Sequence, residues 1–321
     1  MADQAERLRQ LSQESADKDD GSYISLVESC RVVSVSSGKG GVGKTNLVVN
    51  LAIALAQEKN RVIILDADLG LANVDILVNV YPKYTLENVL QGEKDIKEIM
   101  LQGPYSIKII PGGSGQFSLA NLDQEKRRQL LDRFKSLERE ADYLLIDTAA
   151  GLSRNVLNFV GASDESILVT TPEPTALTDA YGMIKVINEK QLKQEVHLVV
   201  NFVDNMAEGE EIFHRLQKVA QKHLPRLQLH YLGAIFRDPH VSKAVQNCAP
   251  VLLSYPQSQA ANAIHRIGKR FIYRGEPEPE PDLEEKVAAG KAKTSSGGEI
   301  KKKGKEAKVP SFFKKLQDFF K

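Results

Sequence analysis

Residues Gly38-Lys39-Gly40-Gly41-Val42-Gly43-Lys44-Thr45 constrain this chain more than any others, because four glycines in eight positions must form a turn rather than a regular element. They follow Arg31–Ser36, which reads as a buried strand, and precede Asn46–Ala56, a helix whose body is almost entirely apolar. A strand, a glycine-rich turn ending in Lys-Thr and a helix, in that order, form a phosphate-binding loop. Its glycines let successive N–H groups and the positive end of the following helix converge on one phosphate. In such a loop Lys44 reaches the β and γ phosphates and the Thr45 hydroxyl is a Mg²⁺ ligand. A nucleotide is therefore the first ligand to consider.

Two further strands end in acids. Arg61–Leu65 runs into Asp66-Ala67-Asp68, and Asp142–Ile146 runs into Asp147-Thr148-Ala149-Ala150-Gly151. Two acids after a strand also suit a helix cap or a turn. Six strand-like runs alternate with helical ones between about Arg31 and Arg274. This predicts an α/β fold: a doubly wound, mostly parallel sheet with helices on both faces. Open sheets of this kind bind ligands beyond the carboxyl ends of their strands, where the glycine loop and both acidic segments fall.

Lys39, at the second position of the loop, resembles the extra lysine of the deviant Walker A motif in the MinD/ParA family. The resemblance implies a sandwich dimer with two ATP molecules at the interface, Lys39 reaching the partner's phosphates. It makes Asp68 the residue that orients the attacking water and Asp66 a support for the metal. Asp147 would then stand in the second shell of Mg²⁺, with Gly151, in the second switch, near the γ phosphate. A carboxylate suits the role given to Asp68, because phosphoryl transfer needs positioning and charge placement more than covalent chemistry. By the same resemblance Glu173 contacts the partner's nucleotide, Asn201 reads the adenine, and Phe236, Arg237 and Asp238 lie in the loop that closes over the base. Phe236 and Arg237 depart there from the commoner proline-containing form. An amide such as that of Asn201 can both donate to and accept from a purine edge.

Composition narrows the function classes. The chain has 321 residues, 42% hydrophobic, with a net charge of +1. It can bury a sizeable core and carries no overall bias toward nucleic acid. Direct nucleic-acid binding, which a ParA-type partition ATPase would need, is not expected. Cys30 and Cys248 are isolated, which argues against the paired cysteines of an iron–sulfur carrier. No second substrate motif suggests a ligase or a small-molecule kinase. No apolar run approaches the roughly 20 residues of a membrane span, and the polar N-terminus lacks a signal-peptide core. A cytoplasmic protein is expected.

The ends of the chain divide into a segment at 1–21, an ATPase domain at 22–275, a charged tether at 276–308 and a helix at 309–321. The tether is rich in Pro, Glu, Lys, Gly and Ser and should be disordered. On the last helix Phe312, Phe313, Leu316, Phe319 and Phe320 fall, with Val309, in an arc of about 120°, and Lys314 and Lys315 lie outside it. That pattern predicts an in-plane anchor on an anionic membrane, helped by the lysines between 301 and 308 at about 1 kcal/mol each. The same face could instead pack into a groove on the core, stored in the monomer and released in an ATP dimer. Asp3, Gln4, Ala5, Leu8 and Arg9 resemble the activator motif of the FlhG (FleN) branch of the MinD family, whose members regulate bacterial flagellar number and placement. That resemblance implies stimulation of the GTPase of FlhF, with flagellar switch-complex proteins and a flagellar transcription regulator as further partners. A MinD-type division-site regulator would share the core and the final helix.

Overall fold

The computed structural model describes residues 30–68, 73–113, 133–273 and 312–319. Eight strands form one sheet in the order β3-β4-β2-β5-β1-β6-β7-β8. They are β1 (Arg31–Ser37), β2 (Val62–Ala67), β3 (Leu101–Gln102), β4 (Lys108–Ile110), β5 (Tyr143–Thr148), β6 (Glu165–Thr170), β7 (Glu195–Val203) and β8 (Gln228–Phe236). All neighbours are parallel except β3 and β4. The expectation of six strands therefore missed β3 and β4 at one edge, where two and three residues are too few to show a period.

The central strands read as continuous apolar runs because both of their faces are covered. Val33 and Val35 of β1 face one helical layer and Val32 the other, the two-residue alternation of a pleated strand. The first layer holds α1 (Lys44–Gln57), α7 (Pro239–Gln246), α8 (Val251–Ser254) and α9 (Gln259–Ile272). The second holds α4 (Arg154–Ala162), α5 (Pro174–Glu189) and α6 (Met206–His223). Two short helices, α2 (Val74–Leu77) and α3 (Leu86–Leu90), lie between β2 and β3 in the chain. Helix starts follow capping chemistry: Ser153, Asn205 and Ser258 each accept a backbone N–H from the first turn of α4, α6 and α9.

The last element, α10 (Phe312–Phe319), lies against α4. Phe312 and Leu316 are buried in the core cluster that holds Phe159 and Ala162 of α4, a burial of about 1.5–3 kcal/mol per side chain. Lys315 Nζ bonds Asp164 Oδ1 at 3.0 Å, and Lys314 is exposed. Of the two arrangements expected for this helix, the groove on the core is the one seen. The side chains of Phe313 and Phe319, and all of Phe320, lie outside the described residues. No described helix is long and apolar enough to cross a membrane.

Candidate functional site

The turn from β1 into α1 depends on glycine. Gly41 and Gly43 sit at φ 80° and 86°, in the left-handed region that side chains avoid. A Cβ on Gly38 would stand 2.4 Å from the carbonyl carbon of Asp179, so α5 packs directly on the entry of the loop. Gly40 and Val42 complete the turn, with Val42 buried beneath it.

Lys44, at the start of α1, points back under the loop. Its ammonium donates to Asp147 Oδ1 at 2.5 Å, and both groups are buried. Burial pushes the Asp147 carboxyl up, opposed by Lys44 and the Thr45 hydroxyl, while the nearby charge of Asp68 adds to the rise. Asp66 is the register partner of Asp147 across β2 and β5. Its carboxyl is pushed up to about 7, chiefly by burial and next by the Asp147 charge. Its oxygens accept from the backbone N–H groups of Asp68 and Asn73 at 3.1 Å and of Val74 at 3.3 Å. Asp66 thus holds the backbone at Asp68 and at Asn73 and Val74, and Asp68 itself is half-buried. Gly151, at φ 86°, donates its N–H to the Ser37 carbonyl at 2.8 Å, which ties the segment after β5 to the end of β1.

Among the described residues no group of three or more His, Cys, Asp or Glu could hold an ion by itself. The oxygens gathered here, from Thr45, Asp147 and Asp66, are the hard donors that Mg²⁺ takes alongside phosphate and water. They fit Mg²⁺ carried with a nucleotide.

Lys39 stands at the surface. Its ammonium donates to Glu173 Oε2 at 2.8 Å and to Thr175 Oγ1 at 3.0 Å, and it holds the Glu173 carboxyl below the usual range. Glu173 and Thr175 belong to the turn and first helical residues between β6 and α5, so the second lysine and its partners come from one corner of the sheet.

A cavity of about 370 Å³ adjoins the loop on the other side, lined by Gly43, Asn46, Leu47, Asn201, Phe202, Ile235, Val241, Ser242, Val245, Gln246 and Ile264. Asn201 is engaged with the protein: Nδ2 donates to the Val42 carbonyl at 2.8 Å and Oδ1 accepts the Phe202 N–H at 2.9 Å. A Cβ on Gly43 would meet Asn201 Nδ2 at 2.3 Å, so the amide braces the loop directly. Asp238 caps α7 through His240 N and accepts Ala260 N at 3.0 Å, joining α7 to α9. Arg237 lies over the Phe202 ring, and Phe236 is partly buried against the second layer. Sequence motifs did not point to Phe202, Val241, Val245 or Gln246. The signal within reach was the adjacency of Phe202 to Asn201.

Comparison with known proteins identifies the family and the fold. A family profile described as an AAA domain matches residues 30–200. The antiactivator FleN of Pseudomonas aeruginosa is 40% identical over 240 residues, covering 75% of this chain and 85% of its own. The flagellum site-determining protein YlxH of Helicobacter pylori is 38% identical over 275 residues, covering 85% and 91%. This chain belongs to the FleN/YlxH (FlhG) group of MinD/ParA-type P-loop ATPases. The fold agrees: the septum site-determining protein MinD of Pyrococcus horikoshii, complexed with Mg-ADP, matches with a TM-score of 0.61 and 26% identity, over 77% of this chain and 98% of its own. As a member of an ATP-binding P-loop family, the FleN-like chain has the phosphate loop, the paired acids and the adjoining cavity at the carboxyl ends of β1, β2, β5 and β7.

Proposed function

We propose that this chain is an ATP-dependent, dimerising switch that regulates the number and placement of flagella. The observation that carries the reading is the pair of lysines on one loop, Lys44 buried on Asp147 and Lys39 exposed on Glu173. One would serve phosphates bound to its own chain. The other is bound, among the described residues, by Glu173 and Thr175, groups that a second chain's phosphates could replace. Phosphate oxygens would compete with Asp147 for Lys44, and Asp68 would orient the attacking water in a reaction governed by positioning. Mg²⁺, when bound with ATP, would neutralise charge on the phosphates, held by Thr45 with Asp66 and Asp147 behind it.

Function then lies in which partners each nucleotide state prefers, because a ligand shifts populations only by its differential affinity. The kinship with FleN and YlxH supports a flagellar role. The segment with Asp3, Gln4, Ala5, Leu8 and Arg9 lies outside the described residues; in this reading it stimulates GTP hydrolysis by FlhF, with Gln4 orienting a water in the partner's site. Flagellar switch-complex proteins and a flagellar transcription regulator are the further partners. Release of α10 would free Phe312 and Leu316, with Phe313, Phe319, Phe320, Lys314 and Lys315, for an anionic membrane, making the chain a reversible peripheral protein of the inner membrane face.

The test is GTP hydrolysis by purified FlhF with and without a peptide of residues 1–21, with Gln4→Ala as control. Strong stimulation that the control loses is the expected result. No stimulation, from the peptide or from the whole chain, would favour a division-site regulator of the MinD type.

A further inference from the structure

The Phe202 backbone sits at φ 60°, in the left-handed region that a bulky aromatic residue occupies only when its surroundings hold it there. Two contacts do so. The Asn201 side chain accepts the Phe202 N–H, and Arg237 donates to the Phe202 carbonyl at 3.5 Å. The register of β7 against β8 slips between Asn201 and Val203, so Phe202 is the extra residue of a bulge. A bulge re-aims one side chain, and here the ring is directed into the cavity beside the phosphate loop. Its edge lies 3.7 Å from where a Cβ on Gly43 would stand. The same cavity is lined by Val241, Val245 and Ile264, with the polar side chains of Ser242 and Gln246 among them.

We propose that Phe202 is the stacking platform for the nucleobase and sets the affinity of the site for the base as distinct from the phosphates. The inference rests on the nucleotide-binding reading above and deepens it. An aromatic ring beside a phosphate loop, in a cavity lined by both aliphatic and polar side chains, suits a flat base with polar edges. Stacking of a base on an aromatic side chain is tolerant of base edges, so this contact gives affinity while edge hydrogen bonds discriminate. The guanidinium of Arg237, 5.9 Å from the ring centre, adds a cation to the same stack. The strained backbone serves the site, because a residue in ordinary β geometry at this position would direct its side chain along the strand's alternation.

Titration calorimetry of the full chain with Mg-ATP and with inorganic tripolyphosphate separates base from phosphate binding. Phe202→Leu and Phe202→Gly should each weaken ATP at least about tenfold, as lost base stacking predicts, and leave tripolyphosphate within about twofold. Phe202→Tyr should recover ATP binding. Phe202→Gly also removes the left-handed strain, which offsets part of the cost of the lost ring, so the variant should still melt cooperatively. ATP affinity within twofold of wild type in both variants, or an equal loss of tripolyphosphate, would overturn the inference. Lys44→Ala keeps the two readings apart. If the wild type binds both ligands and Lys44→Ala neither, the phosphate site stands and the Phe202 variants judge this inference alone. A wild type that binds neither ligand would refute the nucleotide site itself.

Discussion

Two residues, Gly43 and Asn201, show how closely the phosphate loop is fitted. Gly43→Ala must place a methyl group where Asn201 Nδ2 stands, on a backbone at φ 86°, so it should abolish nucleotide binding and lower stability by more than about 1 kcal/mol. Asn201→Ala removes the donor to the buried Val42 carbonyl and should cost about 1–3 kcal/mol in urea denaturation. Because the two positions share one contact, the double variant should lose less than the sum of the singles; strict additivity in a denaturation cycle would refute the brace. Cys30 offers a test of burial. It is 5% exposed, and burial first, then nearby acids, pushes its thiol up to about 12. The unfolded thiol ionises near 9 and the folded one near 12, so the folded state binds more protons in that window and stability should fall as pH rises through it. Cys30→Ala should flatten that decline, and at pH 8 in the native protein Cys30 should resist alkylation, as measured by mass spectrometry.

At the scale of elements, α10 is the part whose position the sequence left open. Its four-residue spacing of Phe312 and Leu316 gives an apolar face but cannot say whether that face meets lipid or protein, since both reward the same side chains. The structure adds the complementary groove on α4 and the Lys315–Asp164 ion pair. Leu316→Ala should raise the rate of tryptic cleavage after Lys314 and Lys315 at least about tenfold, because cleavage follows the undocked population. An unchanged rate, read by mass spectrometry, would show that the helix is already free. Elsewhere legibility tracked length and periodicity. The six longer strands were readable from continuous apolar runs, whereas β3 and β4 were too short to carry a pattern. The loop from Gly38 to Thr45 was readable because its chemistry is local. The Phe202 bulge was not, because it arises from a register slip between β7 and β8 that no single segment encodes.

For the whole molecule, the two lysines separate binding from assembly. Lys44 and Asp147 lie inside the sheet's carboxyl edge, so changes there should affect nucleotide affinity in a single chain. Lys39 is 41% exposed and its partner Glu173 65%, and exposed pairs of this kind contribute little to stability. Lys39→Ala should therefore leave melting temperature and ADP affinity close to wild type. In the proposed dimer the same lysine faces the partner's phosphates, where the surroundings are dry and a charge acts more strongly. Light scattering should then show the wild type dimeric in Mg-ATP and monomeric in ADP, with Lys39→Ala monomeric in both and deficient in hydrolysis. Asp68→Ala, which keeps Lys39 but lacks the carboxylate assigned to the water, should remain dimeric in ATP and accumulate on anionic vesicles. A Lys39→Ala chain that dimerises and hydrolyses ATP normally would place the second lysine outside the reaction and leave Glu173 and Thr175 as its permanent partners.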